Sequence, residues 1–221
     1  MRILYILGTD GAGKTTVATR VAAAMSDRGW IYLYCQVLPF LLRPVKWFAR
    51  RIFLKKADEF KDYDGYLERK QVASSKRKRL TRMYALLWYA DFLIQAWPKL
   101  LRARWRGQNL ILDRFYLDTV VNQGVLQNND LNGMLRDARL LEWFLPKAEL
   151  LLFLDVSEET AFQRKDDIQS IRYLRERKER YLQLAPHFGF RFVDANQTAD
   201  AVFNDVCTQL EAHLAGTNPS R

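Results

Sequence analysis

Five short runs, each almost wholly apolar, punctuate the chain: RILYIL at 2–7, WIYLYCQVL at 30–38, NLILD at 109–113, ELLLFLDV at 149–156 and FRFVDA at 190–195. Unbroken apolarity of this length marks strands covered on both faces, since a strand with one wet face alternates. The intervening segments carry helical spacing and are long enough for crossovers. The pattern therefore predicts an α/β fold, with a five-stranded parallel sheet flanked by helices on both faces. Ligands of such sheets bind beyond the carboxyl ends of the strands. Four runs end in polar features, GTDGAGKTT after the first, DRF at the third, DVS at the fourth and DANQ at the fifth. These ends are expected to converge on one site. Pro98, in IQAWPKLL, is expected to bend or interrupt its helix, and residues 216–221 read as a frayed tail.

With 221 residues, 49% of them hydrophobic, the chain can bury one sizeable core, and 1–221 is expected to form a single domain. The formal charge of +10 implies attraction to anions and says nothing about fold. Cys35 and Cys207 are far apart and form no CxxC pair, which fits a reducing cytoplasm better than a disulfide framework. The first run is broken by Gly8 and Asp10 and follows no basic leader, so it reads as a strand and not a signal peptide. No run approaches the roughly 18 apolar residues of a membrane span. A soluble, cytoplasmic protein is expected.

The turn after the first run fits G-x-x-x-x-G-K-[ST] from Gly8 to Thr15. Phosphate oxygens need several N–H donors converging from one side, and Gly8, Gly11 and Gly13, with Ala12 among them, offer nearly bare backbone. Lys14 places a point charge on the outer phosphates, the Thr15 hydroxyl is a ligand for Mg²⁺, and Thr16 continues a helix whose positive end faces the anion. ATP and Mg²⁺ are the cofactors this predicts. His187 and His213 lie in no metal-ligand spacing and both read as structural. No Ser-His-Asp or Cys-His set can be assembled.

GTDGAGKTT, DRFYLDTVVNQG (113–124), LFLDVSEETAFQRK (152–165), ERYLQLA (179–185) and VDANQT (193–198) follow one another as in the thymidylate kinase family, which the chain resembles from Met1 to about Leu214. That resemblance implies a P-loop kinase fold with a helical lid, here 164–172, and transfer of the γ-phosphoryl group of ATP to dTMP with Mg²⁺. It carries the acceptor-sugar contact onto Asp10 and the DR pair onto Asp113 and Arg114. Physically, Asp113 can hold the magnesium shell and Arg114 can fork onto an acceptor phosphate. Gln123 falls on the acceptor side, and Asn196 and Gln197 on the adenine loop. The phosphate loop has no basic residue besides Lys14, so the transition-state cations are expected from the lid, among Arg164, Lys165 and Arg172. Arg164 is the chosen candidate, completing a catalytic set with Lys14, Asp113 and Arg114. Arg175, Arg177 and Lys178 read as a solvated charged face, with a pair such as Glu176–Arg180.

The chain departs from the family on the acceptor side. Where relatives carry an arginine-containing turn after the second strand, this chain has CQVLPFLLRP, with Arg43 as the available substitute. Where they read thymine with an arginine in a stretch resembling LLFAADR, it has LLWYADF, with Phe92 in that place. Phe92 either packs on the acceptor or belongs to the core. The helical acceptor-side segment, 36–105, holds much of the excess positive charge. Its basic 40–82 stretch reads as a solvated rim, a cap over the acceptor or a contact with an acidic or membrane surface. No DNA or RNA partner is expected, and a homodimer is left open. Three functions remain: a nucleoside monophosphate kinase of thymidylate type, a related kinase acting on a hydroxyl of a nucleoside, sugar or lipid headgroup, and a nucleotide-binding protein without kinase activity.

Overall fold

The computed structural model describes residues 1–35, 65, 72, 78–165 and 168–216. Five strands, β1 (Ile3–Gly8), β2 (Trp30–Tyr34), β3 (Asn109–Asp113), β4 (Leu150–Asp155) and β5 (Arg191–Asp194), form one sheet in the order β2-β3-β1-β4-β5. Every neighbouring pair is parallel. The strands fall within or beside the five apolar runs. β2 is shorter than its run, and residues 36–38 lie outside the described ones. Cys35 still pairs with the sheet, its N–H donating to the Asp113 carbonyl at 2.9 Å.

Along the central strand β1 all six residues are buried, and their side chains alternate between two cores. Ile3, Tyr5 and Leu7 enter a core with Phe92, Phe115, Val121, Phe153 and Tyr181. This side carries α2 (Lys78–Trp105), α3 (Tyr116–Gln127), α4 (Leu131–Phe144) and much of α6 (Ile171–Phe188). Leu4 and Ile6 enter the other core with Val17, Val21, Val202 and Val206, from α1 (Lys14–Ala24) and α7 (Ala199–Gly216). The short helix α5 (Glu158–Gln163) follows β4 and starts at a Ser157 cap, whose hydroxyl accepts from the Thr160 N–H.

Pro98 does not interrupt α2, which runs unbroken on both sides of it. The carbonyl that loses its bond belongs to Ile94, one turn earlier on an exposed part of the helix, where water can serve it. Among the described residues no helix is long and apolar enough to cross a membrane.

Candidate active site

The strand ends do converge. Register places Asp113 of β3 opposite Ile6 of β1 and Tyr34 of β2, while Gly8 lies opposite Leu154 of β4. The loop Thr9–Gly13 leaves β1 here and turns into α1. Gly13 caps that helix in the left-handed conformation, with no side-chain cap on the first-turn N–H groups. These donors are therefore open to an anion. Gly11 has a reason beyond backbone access. At φ +82° a Cβ there would lie 2.3 Å from the Ala161 carbonyl oxygen of α5, so the bare residue lets the phosphate loop lie against that helix.

Lys14 is buried, and its Nζ donates to the carbonyls of Gly8 at 2.9 Å and Thr9 at 2.7 Å, arching back over the loop. Burial and the neighbouring Arg114 lower its pKa to about 8, against the opposing fields of Asp10, Asp118 and Asp113. The Thr15 hydroxyl donates to Asp113 Oδ2 at 2.7 Å, and Tyr32 donates to the same oxygen at 3.3 Å. Asp113 Oδ1 is buried and has no hydrogen-bond partner among the described residues. An orphaned carboxylate oxygen beside a threonine hydroxyl fits Mg²⁺, a hard cation that takes one or two carboxylates and completes its shell with water and substrate phosphate.

Arg114 follows Asp113 in a left-handed conformation, φ +61°, uncommon for a residue with a side chain. The turn aims its guanidinium back at the phosphate loop, where it pairs with Asp10 Oδ1. Tyr173, from the start of α6, donates to Asp10 Oδ2 at 2.8 Å. Burial works against the charge on Asp10, but Arg114, Lys14 and the two hydrogen bonds outweigh it and hold the carboxyl far below the usual carboxylate range. Arg114 is half-buried, and against the cost of desolvation Asp10 and Asp118 keep its proton more firmly bound than usual.

The expected lid cations divide. Arg164 donates to the carbonyls of Ala195 at 2.7 Å, Gln197 at 3.2 Å and Asn196 at 3.5 Å. It thus braces the turn after β5, where Asn196 and Gln197, expected to contact adenine, are tied to Asp194. Lys165 is exposed. Arg172 pairs with Glu176 at 3.1 Å, the i,i+4 contact that forms in place of Glu176–Arg180. The solvated reading fails for two neighbours. Lys178 pairs with Asp155 at 2.8 Å. Arg177 is only 7% exposed, stacks over Tyr173 with its guanidinium carbon 3.5 Å from the ring centroid, and donates to Asn122 at 2.9 Å.

Gln123, expected on the acceptor side, is buried on α3, and its side-chain carbonyl accepts from Gln127. Phe92 is 0% exposed and packs against Phe115 with centroids 5.7 Å apart. The acceptor-packing expectation for Phe92 is therefore corrected: its ring is core, as the apolar face of α2 requires. Arg43, most of the basic 40–82 stretch and residues 166–167 of the lid lie outside the described residues.

Comparison with known proteins matches the sequence to the thymidylate kinase family model over residues 63–206. The chain belongs to the thymidylate kinase family. Its relatives match over most of the length of the chain. It is 26% identical to a "Probable thymidylate kinase" of Methanothermobacter thermautotrophicus, over 94% of this chain and 93% of that protein. It is 24% identical to one of Archaeoglobus fulgidus, over 96% of each. It is 23% identical to a "Thymidylate kinase" of a Geobacillus strain, over 91% of this chain and 92% of that one. Family membership makes the chain an ATP-dependent kinase.

Motif reading missed Asp118, Tyr5, Tyr181, Tyr173 and Arg177 as parts of this site. One signal was available: Asp118 stands between Leu117 and Val120 on the apolar stripe of α3, and a charge on a buried stripe asks for a partner.

Proposed function

We propose that this thymidylate kinase family member transfers the γ-phosphoryl group of ATP to dTMP, releasing ADP and dTDP, with Mg²⁺ and in the cytoplasm. The observation that carries the mechanism is the grouping of Lys14, Thr15, Asp113 and Arg114 at one strand edge, with an unpartnered Asp113 oxygen. Thr15 and Asp113 would hold the metal, which when bound supplies positive charge to the phosphates. The open N–H groups of Gly13 and the first turn of α1 cradle the donor phosphates. Lys14 exchanges its two carbonyl contacts for phosphate oxygens. Arg114 uses one N–H on Asp10, and its remaining donors suit a second phosphate. Positioning and charge neutralisation are most of what phosphoryl transfer needs.

A phosphate acceptor is favoured over a hydroxyl by the state of Asp10. A hydroxyl acceptor calls for a carboxylate that takes its proton. Both oxygens of Asp10 are already hydrogen-bonded and its basicity is suppressed. An already ionised monophosphate needs no such base. The test is a coupled assay of ADP release with ATP and Mg²⁺, run with dTMP, other monophosphates, nucleosides and sugars. Acceleration by dTMP is expected. No acceleration by any monophosphate would overturn the reading.

A further inference from the structure

Tyr173 takes part in no step above, yet it touches the carboxylate that holds Arg114. It lies in the first turn of α6, where its backbone N–H donates to the Ser170 hydroxyl cap at 3.1 Å. Its own hydroxyl donates to Asp10 Oδ2 at 2.8 Å, while Arg114 pairs with the other oxygen, Oδ1. One turn further along α6, Arg177 stacks on the Tyr173 ring with its guanidinium carbon 3.5 Å from the centroid, and donates to the Tyr173 carbonyl at 3.2 Å. Arg177 is in turn tied to Asn122 of α3 at 2.9 Å. Cap and stack together fix where the hydroxyl lies. Burial raises the pKa of the phenol, against the lowering field of Arg177, and keeps it a donor.

A carboxylate and a guanidinium left to themselves favour a fork, two parallel N–H···O bonds that spend one whole edge of the arginine. At Asp10 the second oxygen is engaged by Tyr173, so the pair is made through Oδ1. Arg114 thereby keeps a two-donor edge for a phosphate to grip. We propose that Tyr173 is a positioning residue for phosphoryl transfer: by occupying Asp10 Oδ2 it restrains Asp10 and Arg114 to a one-oxygen pair and keeps the guanidinium presented to the acceptor phosphate. Arg177 acts through Tyr173, by fixing the ring that carries the hydroxyl. The inference rests on the kinase reading above.

The test is a double-mutant cycle on the full chain, comparing the unmodified protein, Tyr173→Phe, Asp10→Asn and the double variant. Tyr173→Phe keeps the ring and its stack and deletes only the hydroxyl. In the unmodified background it is expected to lower kcat/KM for dTMP roughly 10- to 100-fold, the scale of one hydrogen bond to a charged group, with KM for ATP little changed. The amide of Asp10→Asn has a single acceptor oxygen and cannot fork, so in that background loss of the hydroxyl is expected to cost nothing further. Equal losses in both backgrounds, or no loss in either, would overturn the proposal. A crystal structure of Tyr173→Phe should show both Asp10 oxygens on Arg114, and a retained one-oxygen pair overturns the proposal as well. If Tyr173→Phe does not fold, Tyr173→Met, which also lacks a donor, takes its place with the same outcomes. Calorimetric titration of inorganic phosphate into the same proteins, saturated with Mg²⁺ and ADP, reads the grip of Arg114 without turnover, and weaker binding is expected in Tyr173→Phe. Failure of the unmodified protein to use dTMP would sink the kinase reading alone, and phosphate affinities indifferent to Tyr173 would then sink its role.

Discussion

The Thr15 hydroxyl donates to Asp113 Oδ2 at 2.7 Å, joining the end of the phosphate loop to the end of β3 and leaving Asp113 Oδ1 buried without a partner. The pair brings two hard oxygens together, and among the described residues the orphaned one has no partner. Replacing Asp113 with Asn removes the charge and keeps the shape. Turnover should fall by about 10²- to 10³-fold, as when one preorganised electrostatic group is lost. The loss should be accompanied by a raised Mg²⁺ requirement, read by titrating the metal at saturating ATP. An unchanged Mg²⁺ curve would remove Asp113 from the metal site.

Lys14 carries the second prediction. Its folded pKa, near 8, lies below the usual lysine value because burial and Arg114 disfavour the charge. It is therefore protonated below that pH and becomes neutral above it. Since kcat/KM reports ionisations of the free enzyme, kcat/KM for ATP should decline as pH rises from about 7.5 to 9. Lys14→Ala should abolish most activity, flatten that alkaline limb and leave the circular-dichroism spectrum unchanged. Persistence of the limb in this variant would assign it to another group.

How much of this was legible in the chain depends on what each residue contacts. The five strands were readable because a strand buried on both faces must be apolar throughout, and the same rule led to the strand ends where Asp113 and Arg114 sit. Lys14 and Thr15 were readable because phosphate chemistry imposes local spacing. Asp118 and Tyr181 were not, since their contact spans 63 residues and obeys no local period. Arg177 and Lys178 looked like a solvated run for a related reason. Their partners, Asn122 and Asp155, come from α3 and β4, so the burial of these cations is decided by tertiary packing.

Gly11 and Gly13 separate two meanings of a loop glycine. Both have φ near +80°, but a Cβ at Gly11 meets the Ala161 backbone whereas one at Gly13 meets nothing within 4 Å. Gly13→Ala should cost about 1–2 kcal/mol for the left-handed conformation alone. Gly11→Ala adds an overpacking cost of about 1–3 kcal/mol, because α5 has to move. Urea unfolding of the two variants measures the difference. Equal midpoints would mean that α5 yields freely.

Phe92 provides the last prediction, because it stands where the family resemblance leads one to expect a thymine-reading arginine. Its ring is fully buried against Phe115, in the core that also holds Tyr5 and Tyr89. Truncation to Ala should destabilise the protein by about 3–5 kcal/mol. Phe92→Leu, which retains most of the apolar volume, should lose less. If the ring is only core, the fraction of Phe92→Leu that remains folded should show an unchanged KM for dTMP. A rise in that KM with little change in unfolding midpoint would instead place the ring against the acceptor. Phe92→Arg, which introduces the residue the resemblance leads one to expect here, should fail to gain thymine discrimination, because it buries an unpaired charge in this core. Discrimination is read as the ratio of kcat/KM for dTMP to that for dUMP across the variants.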